Sequence, residues 1–272
     1  MKIQLIAMDL DGTALQRDRN TFSPRLLEAL QTAHQRGIRI VPVTGRQFGL
    51  LPGVLQECHP WRDYAILCNG GQIRQFSSPE LLHDLQIPPH ALAQLLALAG
   101  ELDLPIEFSL ESKLYLTQHS LNQQLPWDNL SFHRDTILRN HGRLVPTLEP
   151  LCAPGVEKVN LLCIPPELRE VVEKRLASVE VSAVWASSSS MEITHRDATK
   201  GQSLQHLCRL LDIPLDGVMA LGDSGNDITM LQAAGLGIAM GNAPEDVKAA
   251  ADLCTDSYDA DGAAKAIEQY AL

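Results

Sequence analysis

Residues 3–13, with the sequence IQLIAMDLDGT, place a short apolar run directly before two aspartates and a glycine. Such a run ending in carboxylates predicts a buried β-strand followed by a sharp turn. Side chains alternate along a strand, so we expect Asp9 and Asp11 to point the same way at its end. Because neighbouring carboxylates repel unless a cation or a proton lies between them, the segment favours a functional site.

The same segment has a plainer interpretation, because Asp, Gly and Thr are common turn residues. A calcium-binding EF-hand loop is excluded, since Ala14 stands where that loop needs its glycine and the distal glutamate is missing. A dinucleotide-binding loop is excluded as well, because Asp-Gly-Thr follows the strand instead of Gly-x-Gly-x-x-Gly.

Further short apolar runs follow at the spacing of parallel β-α-β units. Residues 38–43 and 64–68 are predicted strands, and Ser23 followed by Pro24 predicts the start of a helix between the first two strands. Each strand ends in a polar turn. In open α/β sheets the ligand site lies just beyond the carboxyl ends of the strands, where these turns fall.

The C-terminal part repeats this pattern, whereas the middle of the chain differs from it. Strands are predicted at 218–221 and 237–240, and between roughly 82 and 188 there are β-rich stretches, two helices and many prolines. We therefore predict an α/β fold, with a Rossmann-like parallel sheet core and an inserted α+β domain. The predicted core comprises residues 1–81 and 189–272, and the predicted insertion comprises residues 82–188.

A second group of carboxylates lies in the turn Gly-Asp-Ser-Gly-Asn-Asp at 222–227. A helix N-cap would explain one or two of these residues but not all four polar positions and both glycines. Together with residues 9–11, the turn offers hard oxygen ligands with few carboxylates per cation, which is typical of Mg²⁺ held with phosphate and water.

Two further features are only weak evidence for a functional site when each is considered alone. The turn Thr-Gly-Arg at 44–46 offers a hydroxyl and backbone N–H groups that favour an anion, although such turns are common. Lys200 precedes a predicted helix, and a lone lysine is more often a solvated surface charge than a functional residue.

Composition narrows the class of protein. The 272 residues include 22 Lys and Arg against 33 Asp and Glu, a formal net charge of -11, which disfavours nucleic acid and anionic membranes as partners. Six scattered cysteines form no Cys-x-x-Cys pair, which argues against a zinc ribbon and a disulfide framework. Without a signal-peptide pattern or a run of ~20 apolar residues, we expect a cytoplasmic protein.

Four motifs, in this order, resemble those of the haloacid dehalogenase-like phosphatases. They are Asp-Leu-Asp-Gly-Thr at 9–13, Val-Thr-Gly-Arg at 43–46, Lys-Gly at 200–201 and the acidic turn at 222–227. Phrases at 69–71, 191–194, 240–243 and 259–262 are similar to the Cof-type branch. The resemblance implies a Mg²⁺-dependent phosphatase that acts on small phosphorylated metabolites, sugar phosphates or similar phosphomonoesters, through an aspartyl-phosphate.

The resemblance also implies roles for individual residues. Asp9 would be the nucleophile and Asp11 the general acid and base, with Thr44 and Lys200 completing the catalytic set. The phosphate group would be held by Leu10, Thr44, Gly45, Lys200 and Asn226. Mg²⁺ would be held by Asp9, Asp11, Asp223 and Asp227, the last directly or through water.

The inserted segment would close over the site and select the leaving group, as caps of this family do. Its candidate contacts are Glu107, Lys113, Tyr115, Trp127, His133, Arg134 and Lys158. A phosphomutase or a specialised sugar-phosphate phosphatase shares this chemistry, and a receiver-like signalling protein or a non-enzymatic phosphate-binding protein stays a more distant alternative. The physiological substrate and the oligomeric state remain open.

Overall fold

The computed structural model describes residues 2–127 and 142–272. In chain order the strands are β1 (Leu5–Met8), β2 (Arg39–Pro42), β3 (Tyr64–Leu67), β4 (Gln72–Gln75), β5 (Leu81–Asp84), β6 (Ile106–Leu110), β7 (Lys113–Leu116), β8 (Gly142–Leu144), β9 (Lys158–Leu161), β10 (Val181–Ser187), β11 (Ser190–His195), β12 (Val218–Gly222), β13 (Leu236–Ala239) and β14 (Leu253–Cys254). The α-helices are α1 (Pro24–Gln35), α2 (Gly53–Gln56), α3 (Pro89–Glu101), α4 (Gln118–Gln124), α5 (Arg169–Leu176), α6 (Lys200–Leu210), α7 (Ile228–Ala233), α8 (Glu245–Ala249) and α9 (Gly262–Tyr270).

The apolar run at the start of the chain forms β1, which is buried along its whole length. It lies in a five-stranded sheet with the order β14-β13-β12-β1-β2, whose neighbouring strands all run parallel. Leu5 is in register with Val218 on one side and with Arg39 on the other. Since parallel strands bring their carboxyl ends to one edge, the turns after β1, β2 and β12 share that edge.

Helix α1 begins where the sequence predicts. The Ser23 hydroxyl accepts a hydrogen bond from the backbone N–H of Leu26 at 3.1 Å, and Pro24 occupies the first turn, where its missing N–H costs nothing. The apolar residues Leu26, Ala29, Leu30 and Ala33 recur at helical spacing and are buried.

The third predicted strand, β3, is joined to the second by isolated parallel bridges, one of them between Val43 and Ile66. Its main partner is β4, with which it pairs antiparallel in a separate sheet of order β3-β4-β5. The sequence analysis missed β4, because Gln-Ile-Arg-Gln contains a single apolar residue and lacks a strand signal.

The chain divides into two compact units by its internal contacts. The first comprises Met1–Arg46, Leu51–His83 and Thr199–Leu272, and the second comprises Gln47–Leu50 and Asp84–Ala198. The predicted core of 1–81 and 189–272 and the predicted cap of 82–188 stay a prediction. The structure differs from them mainly after residue 188, because β11 pairs with β10 and β9 and so lies in the second unit.

Among its described residues, the second unit contains a six-stranded sheet with the order β10-β11-β9-β6-β7-β8, in which β7 and β8 pair parallel and the other neighbours pair antiparallel. One face of this sheet is apolar and packs with α3 into a core that includes Phe108, Leu161 and Ile193. The serines at 187–190 form the turn of the β10–β11 hairpin. The predicted α/β fold with a Rossmann-like parallel core and an inserted α+β unit is confirmed.

Among the described residues, the structure contains no helix that is long and apolar enough to cross a membrane.

We expect Ser23→Ala to lower the stability of the first unit by about 1 kcal/mol, because the N–H of Leu26 loses its capping acceptor. The urea midpoint of unfolding measures this loss. The matched control is Ser178→Ala, an exposed serine, whose hydroxyl donates to the carbonyl of Arg175 at 2.8 Å. Equal midpoints for the two variants would contradict the capping role.

Candidate active site

Asp9 lies directly after β1, where the backbone carries it to the edge of the parallel sheet. Its N–H donates to the carbonyl of Leu221 on β12 at 2.9 Å, so the first residue after the strand is still fixed by the sheet. The side chain is buried. Because β12 runs parallel to β1, the acidic turn that follows it is brought beside Asp9.

Lys200 opens α6 and is buried, with 1% of its surface exposed. Its ammonium donates to Oδ1 of Asp9 and to Oδ1 of Asp227, each at 2.6 Å. The interpretation of Lys200 as a solvated surface lysine is therefore wrong, because its ammonium is buried and paired with Asp9 and Asp227. A buried ammonium is tolerated only when it is paired and hydrogen-bonded, as this one is.

Asp227 is fully buried and its two oxygens have different partners. Oδ1 accepts from Lys200, while Oδ2 accepts the backbone N–H groups of Asp223 and Ser224 at 3.0 Å each. This is the geometry of a capping box at the short helix that follows the turn. Asp227 thus holds both the shape of the acidic turn and the position of the lysine.

Asp223 is oriented by two residues that the sequence analysis did not assign to the site. The Thr13 hydroxyl donates to its Oδ1 at 2.8 Å, and the Asn242 amide donates to its Oδ2 at 3.3 Å and to the Gly12 carbonyl at 3.0 Å. Gly12 has φ +84°, and a Cβ at this position would overlap the Asp223 carboxylate. Both features explain why a glycine stands beside this side chain.

The charges at this edge do not balance. Asp9, Asp223 and Asp227 each bring a carboxylate oxygen within 4.8 Å of the others, and Lys200 is the ammonium paired with two of them. Burial raises the pKa of Asp9 well above its usual range, although the Lys200 charge opposes this. Burial, followed by the charge of Asp227, raises the pKa of Asp223 to about 6.

For Lys200 itself, burial lowers the pKa, but the carboxylates of Asp227 and Asp9 together outweigh it and the pKa is raised. The lysine therefore stays charged, and the group keeps an excess of negative charge. A closely spaced set of oxygen ligands with unbalanced charge fits a hard divalent cation.

Asp11 does not join this group of carboxylates. The strand ends at Met8, so the alternation of side chains does not extend to Asp11, which has φ -76° and ψ 115° in the following turn. The Arg46 guanidinium holds both of its oxygens, with Nε to Oδ2 at 2.8 Å and Nη2 to Oδ1 at 2.6 Å. The expected alignment of Asp9 and Asp11 is replaced by this two-point ion pair.

The remaining candidates lie in turns at the same edge, and their phosphate-binding roles stay predictions. Thr44, two residues after the end of β2, is buried, and its hydroxyl accepts the N–H of Arg46 at 3.1 Å. Asn226 lies in the acidic turn and donates from Nδ2 to Oδ1 of Asn69 at 2.9 Å. Leu10 is buried in the first turn, next to Asp9. Gly45 follows Thr44 in the second turn.

The candidates in the second unit separate into different environments. Glu107 and Lys158 are buried on β6 and β9, whereas Lys113 is exposed and Tyr115 packs against the apolar core. Trp127 packs against the pair Leu162 and Cys163. His133 and Arg134 lie outside the described residues.

The fold and the site together are those of a class of α/β hydrolases. In this class a Rossmann-like sheet carries a buried aspartate at the end of a strand, with a lysine paired to it and an acidic turn beside it. Residues 6–267 match the haloacid dehalogenase-like hydrolase family, and the chain belongs to that family. The resemblance to its Cof-type phosphatase branch is confirmed.

Relatives of known name agree with this assignment. The 5-amino-6-(5-phospho-D-ribitylamino)uracil phosphatase YcsE of Bacillus subtilis (strain 168) is 30% identical over 99% of this chain and 96% of its own length. A solved haloacid dehalogenase-like hydrolase from B. subtilis superposes with a TM-score of 0.85 at 29% identity, over 98% of this chain and 100% of that one. The subclass IIB sugar phosphatase BT4131 gives 0.82 at 26% identity, over 98% of each chain. The chain is a phosphoric monoester hydrolase of the haloacid dehalogenase type.

We expect Asp223→Asn to stabilise the metal-free protein at pH 8, because it removes a buried charge. Burial raises the pKa of Asp223 to about 6 in the folded protein, against 3.8 for a free aspartate. The contribution of Asp223 to the free energy of unfolding is therefore fully present below pH 3.8, where the carboxyl is protonated in both states, and it is lost as the pH rises to 6. A shift of that size corresponds to about 3 kcal/mol at most, reduced by imperfect hydrogen bonding of the new amide.

Thermal melts in a chelator at pH 4, 6 and 8 measure this effect. The control is Asp216→Asn, an exposed aspartate outside the cluster. If Asp223→Asn were no more stable than this control at pH 8, the charge excess inferred for the site would be refuted.

Proposed function

We propose that this phosphatase is Mg²⁺-dependent and hydrolyses small phosphorylated metabolites, sugar phosphates or similar phosphomonoesters, through an aspartyl-phosphate on Asp9. The observation that carries the proposal is the buried Asp9 carboxylate held by Lys200 at the end of β1. A carboxylate in this position is fixed, desolvated and beside a permanent positive charge, as a nucleophile for a phosphate ester needs to be.

In the first step, an oxygen of Asp9 attacks phosphorus and the bond from phosphorus to the leaving oxygen breaks. Lys200 holds Oδ1, so we assign Oδ2 as the attacking atom. The ammonium also lies where it offsets negative charge that the arriving phosphoryl group adds to Asp9. In the second step, water attacks the same phosphorus, and Asp9 leaves as a carboxylate.

Asp11 is the proposed proton donor to the leaving alkoxide and then the base that takes a proton from the attacking water. Asp9 cannot serve both purposes because it carries the phosphoryl group between the two steps. Arg46 holds both oxygens of Asp11, so the first step requires one oxygen to leave the guanidinium and take up a proton. Arg46 is thus a positioning residue for the acid.

The donor set fits Mg²⁺, because oxygen ligands with an excess of negative charge surround the point between β1 and the acidic turn. Asp9, Asp223 and the Asp11 carbonyl would hold the ion. Asp227 would support the ion indirectly, since its own oxygens already accept hydrogen bonds from Lys200 and from backbone N–H groups. When bound, Mg²⁺ neutralises charge on the phosphoryl oxygens and shields them from the Asp9 carboxylate.

The proposed phosphate-binding groups are the Thr44 hydroxyl, the N–H groups of Leu10 and Gly45, the amide of Asn226 and the Lys200 ammonium. Each lies in, or directly after, a turn that follows a strand of the parallel sheet, apart from Lys200 at the start of α6. The names of YcsE and BT4131 describe phosphatases of a phosphorylated ribityl compound and of sugars, which supports the same substrate class here.

We expect Asp9→Asn to lower Mg²⁺-dependent hydrolysis of para-nitrophenyl phosphate by on the order of 10⁴-fold or more, because an amide cannot form the aspartyl-phosphate. The fold is retained, since the new side chain keeps an oxygen that accepts from Lys200. Phosphate release is the measurement, and Asp216→Asn is the control. Turnover within tenfold of the parent would rule out the mechanism, whereas transfer to product without phosphate release by the parent would indicate a phosphomutase.

For Asp11→Asn, we expect a loss that depends on the leaving group. With para-nitrophenyl phosphate, whose leaving group needs no proton, stopped-flow absorbance shows one burst of nitrophenol followed by slow turnover. With an alkyl phosphate, the first step itself slows by roughly 10²- to 10⁴-fold and no burst of alcohol appears. An equal slowing of the first step for both esters would assign the proton donor elsewhere.

A further inference from the structure

The three residues that follow β3 have an unusual backbone conformation. Cys68, Asn69 and Gly70 have φ of +51°, +54° and +104°, three left-handed values in a row. Residues with a side chain rarely adopt such values, and they keep them only where the surrounding structure fixes them. Cys68 and Asn69 are also buried, at 0% and 4% exposure. We call residues 68–70 the left-handed segment, and its contacts explain its conformation.

The backbone of the left-handed segment holds the turn at residues 44–46. The N–H of Cys68 donates to the carbonyl of Arg46 at 3.1 Å, and the N–H of Asn69 donates to the carbonyl of Thr44 at 3.0 Å. An extended strand directs successive N–H groups to opposite sides, so both can reach one turn only because the chain has left the strand conformation. The turn that offers the Thr44 hydroxyl and the Gly45 N–H is therefore fixed from this side.

The side chain of Asn69 reaches the acidic turn after β12. Its Oδ1 accepts from Nδ2 of Asn226 at 2.9 Å, while Oδ1 of Asn226 accepts from the Ser224 hydroxyl at 2.8 Å. The Asn226 amide is thus held at both of its ends. An amide nitrogen carries two hydrogens, so after one is given to Asn69 a second can be given to a phosphate oxygen.

Gly70 contacts the start of α6, the helix that begins with Lys200. The carbonyl of Gly70 accepts from the Ser203 hydroxyl at 2.5 Å. A Cβ on Gly70 would lie 2.3 Å from the carbonyl oxygen of Thr199, the N-cap residue of α6. Glycine alone permits both this approach and a φ of +104°. The left-handed segment therefore contacts three parts of the chain that carry proposed phosphate-binding groups.

We propose that Asn69 is a positioning residue for phosphate binding. Its side chain orients the Asn226 amide and its backbone holds Thr44, so that donors from two different turns meet one phosphoryl group. The proposal rests on the proposed phosphatase function and adds to it a residue that acts through Asn226 and Thr44. It also gives a physical reason for the phrase Asn-Gly-Gly at 69–71, which the catalytic steps leave without a role.

The competing explanation is that Asn69 is present because asparagine tolerates a left-handed backbone better than most residues do. Glycine adopts that conformation still more readily, so on this explanation Asn69→Gly would cost nothing. On the proposal, Asn69→Gly keeps the N–H that donates to Thr44 but removes the oxygen that holds Asn226. The same variant therefore separates the two explanations.

The test measures phosphate binding and Mg²⁺ binding separately. Asn69→Gly raises the inhibition constant of inorganic phosphate, and KM for para-nitrophenyl phosphate, by roughly 5- to 20-fold, because an anion loses one oriented donor. The value of kcat stays within about threefold. Mg²⁺ affinity, measured by calorimetry without substrate, stays within about twofold, since Thr13 and Asn242 still orient Asp223.

The matched control is Asp212→Gly, which introduces glycine at another left-handed position. Asp212 has φ +54° and is exposed, in the loop after α6. It lies outside the site, so this variant changes neither the inhibition constant nor KM. A constant that is unchanged in Asn69→Gly as well would overturn the proposal.

A double-mutant cycle with Asn226→Ala shows through which residue Asn69 acts. Once the Asn226 amide is gone there is nothing left to orient, so adding Asn69→Gly raises the inhibition constant by less than about twofold more. Losses that multiply in the double variant would show that Asn69 does not act through Asn226, and would overturn the proposal.

A measurement on the parent protein keeps the proposal testable if Asn69→Gly does not fold. In ¹H–¹⁵N NMR, the side-chain amide of Asn226 is assigned by its absence from Asn226→Ala. Without phosphate, one of its two protons is expected downfield of an exposed asparagine, because it is donated to Asn69. Two protons at the positions of an exposed asparagine would overturn the proposal.

The failure of the proposed function has a different signature. A parent enzyme that releases phosphate from no ester would overturn that function, whereas the downfield proton of Asn226 in phosphate-free protein would still report the contact with Asn69.

Discussion

The ammonium of Lys200 is held between the carboxylates of Asp9 and Asp227, and the rest of the site is arranged around this buried contact. It joins the end of β1 to the turn after β12 and to the first residue of α6. Removing one member of such a group leaves an uncompensated buried charge, which costs several kcal/mol. The three elements are therefore fixed relative to one another by the same charges that we propose to take part in catalysis.

The site is negatively charged, and so is the chain as a whole. A formal charge of -11 gives no long-range attraction for a phosphate ester, and the three close carboxylates add to the problem locally. Lys200 offsets only part of it, which is why burial still raises the pKa of Asp9 and Asp223. A bound divalent cation is the natural complement, and it would reverse the field at the point where the substrate arrives.

Features that depend on short stretches of sequence could be predicted well. The start of α1 at Ser23 and the strand before Asp9 are local, because capping and apolar patterning involve residues a few positions apart. The family motifs likewise located Lys200, whose burial no local pattern reveals. Strand β4 escaped prediction because its pairing with β3, rather than its own composition, makes it a strand.

Contacts between distant residues could not be predicted in the same way. Arg46 reaches Asp11 across 35 positions, and Thr13 reaches Asp223 across 210. In the second unit, the sequence offered Tyr115 and Lys158 as equal candidates, yet they lie on opposite faces of one sheet. The side of the sheet on which a side chain lies depends on the register of its strand, and shifting a strand by one residue would move all its side chains to the opposite side.

The central claim is that Asp9 carries the phosphoryl group during turnover. Rapid acid quenching of the Asp11→Asn variant with para-nitrophenyl phosphate, followed by peptide mass spectrometry, tests it most directly. The account predicts that the peptide containing Asp9 gains the mass of one phosphoryl group, with fragmentation placing it on that residue, and that Asp9→Asn in the same background shows no gain. A phosphoryl group on any other residue, or unmodified protein during nitrophenol release, would contradict the account.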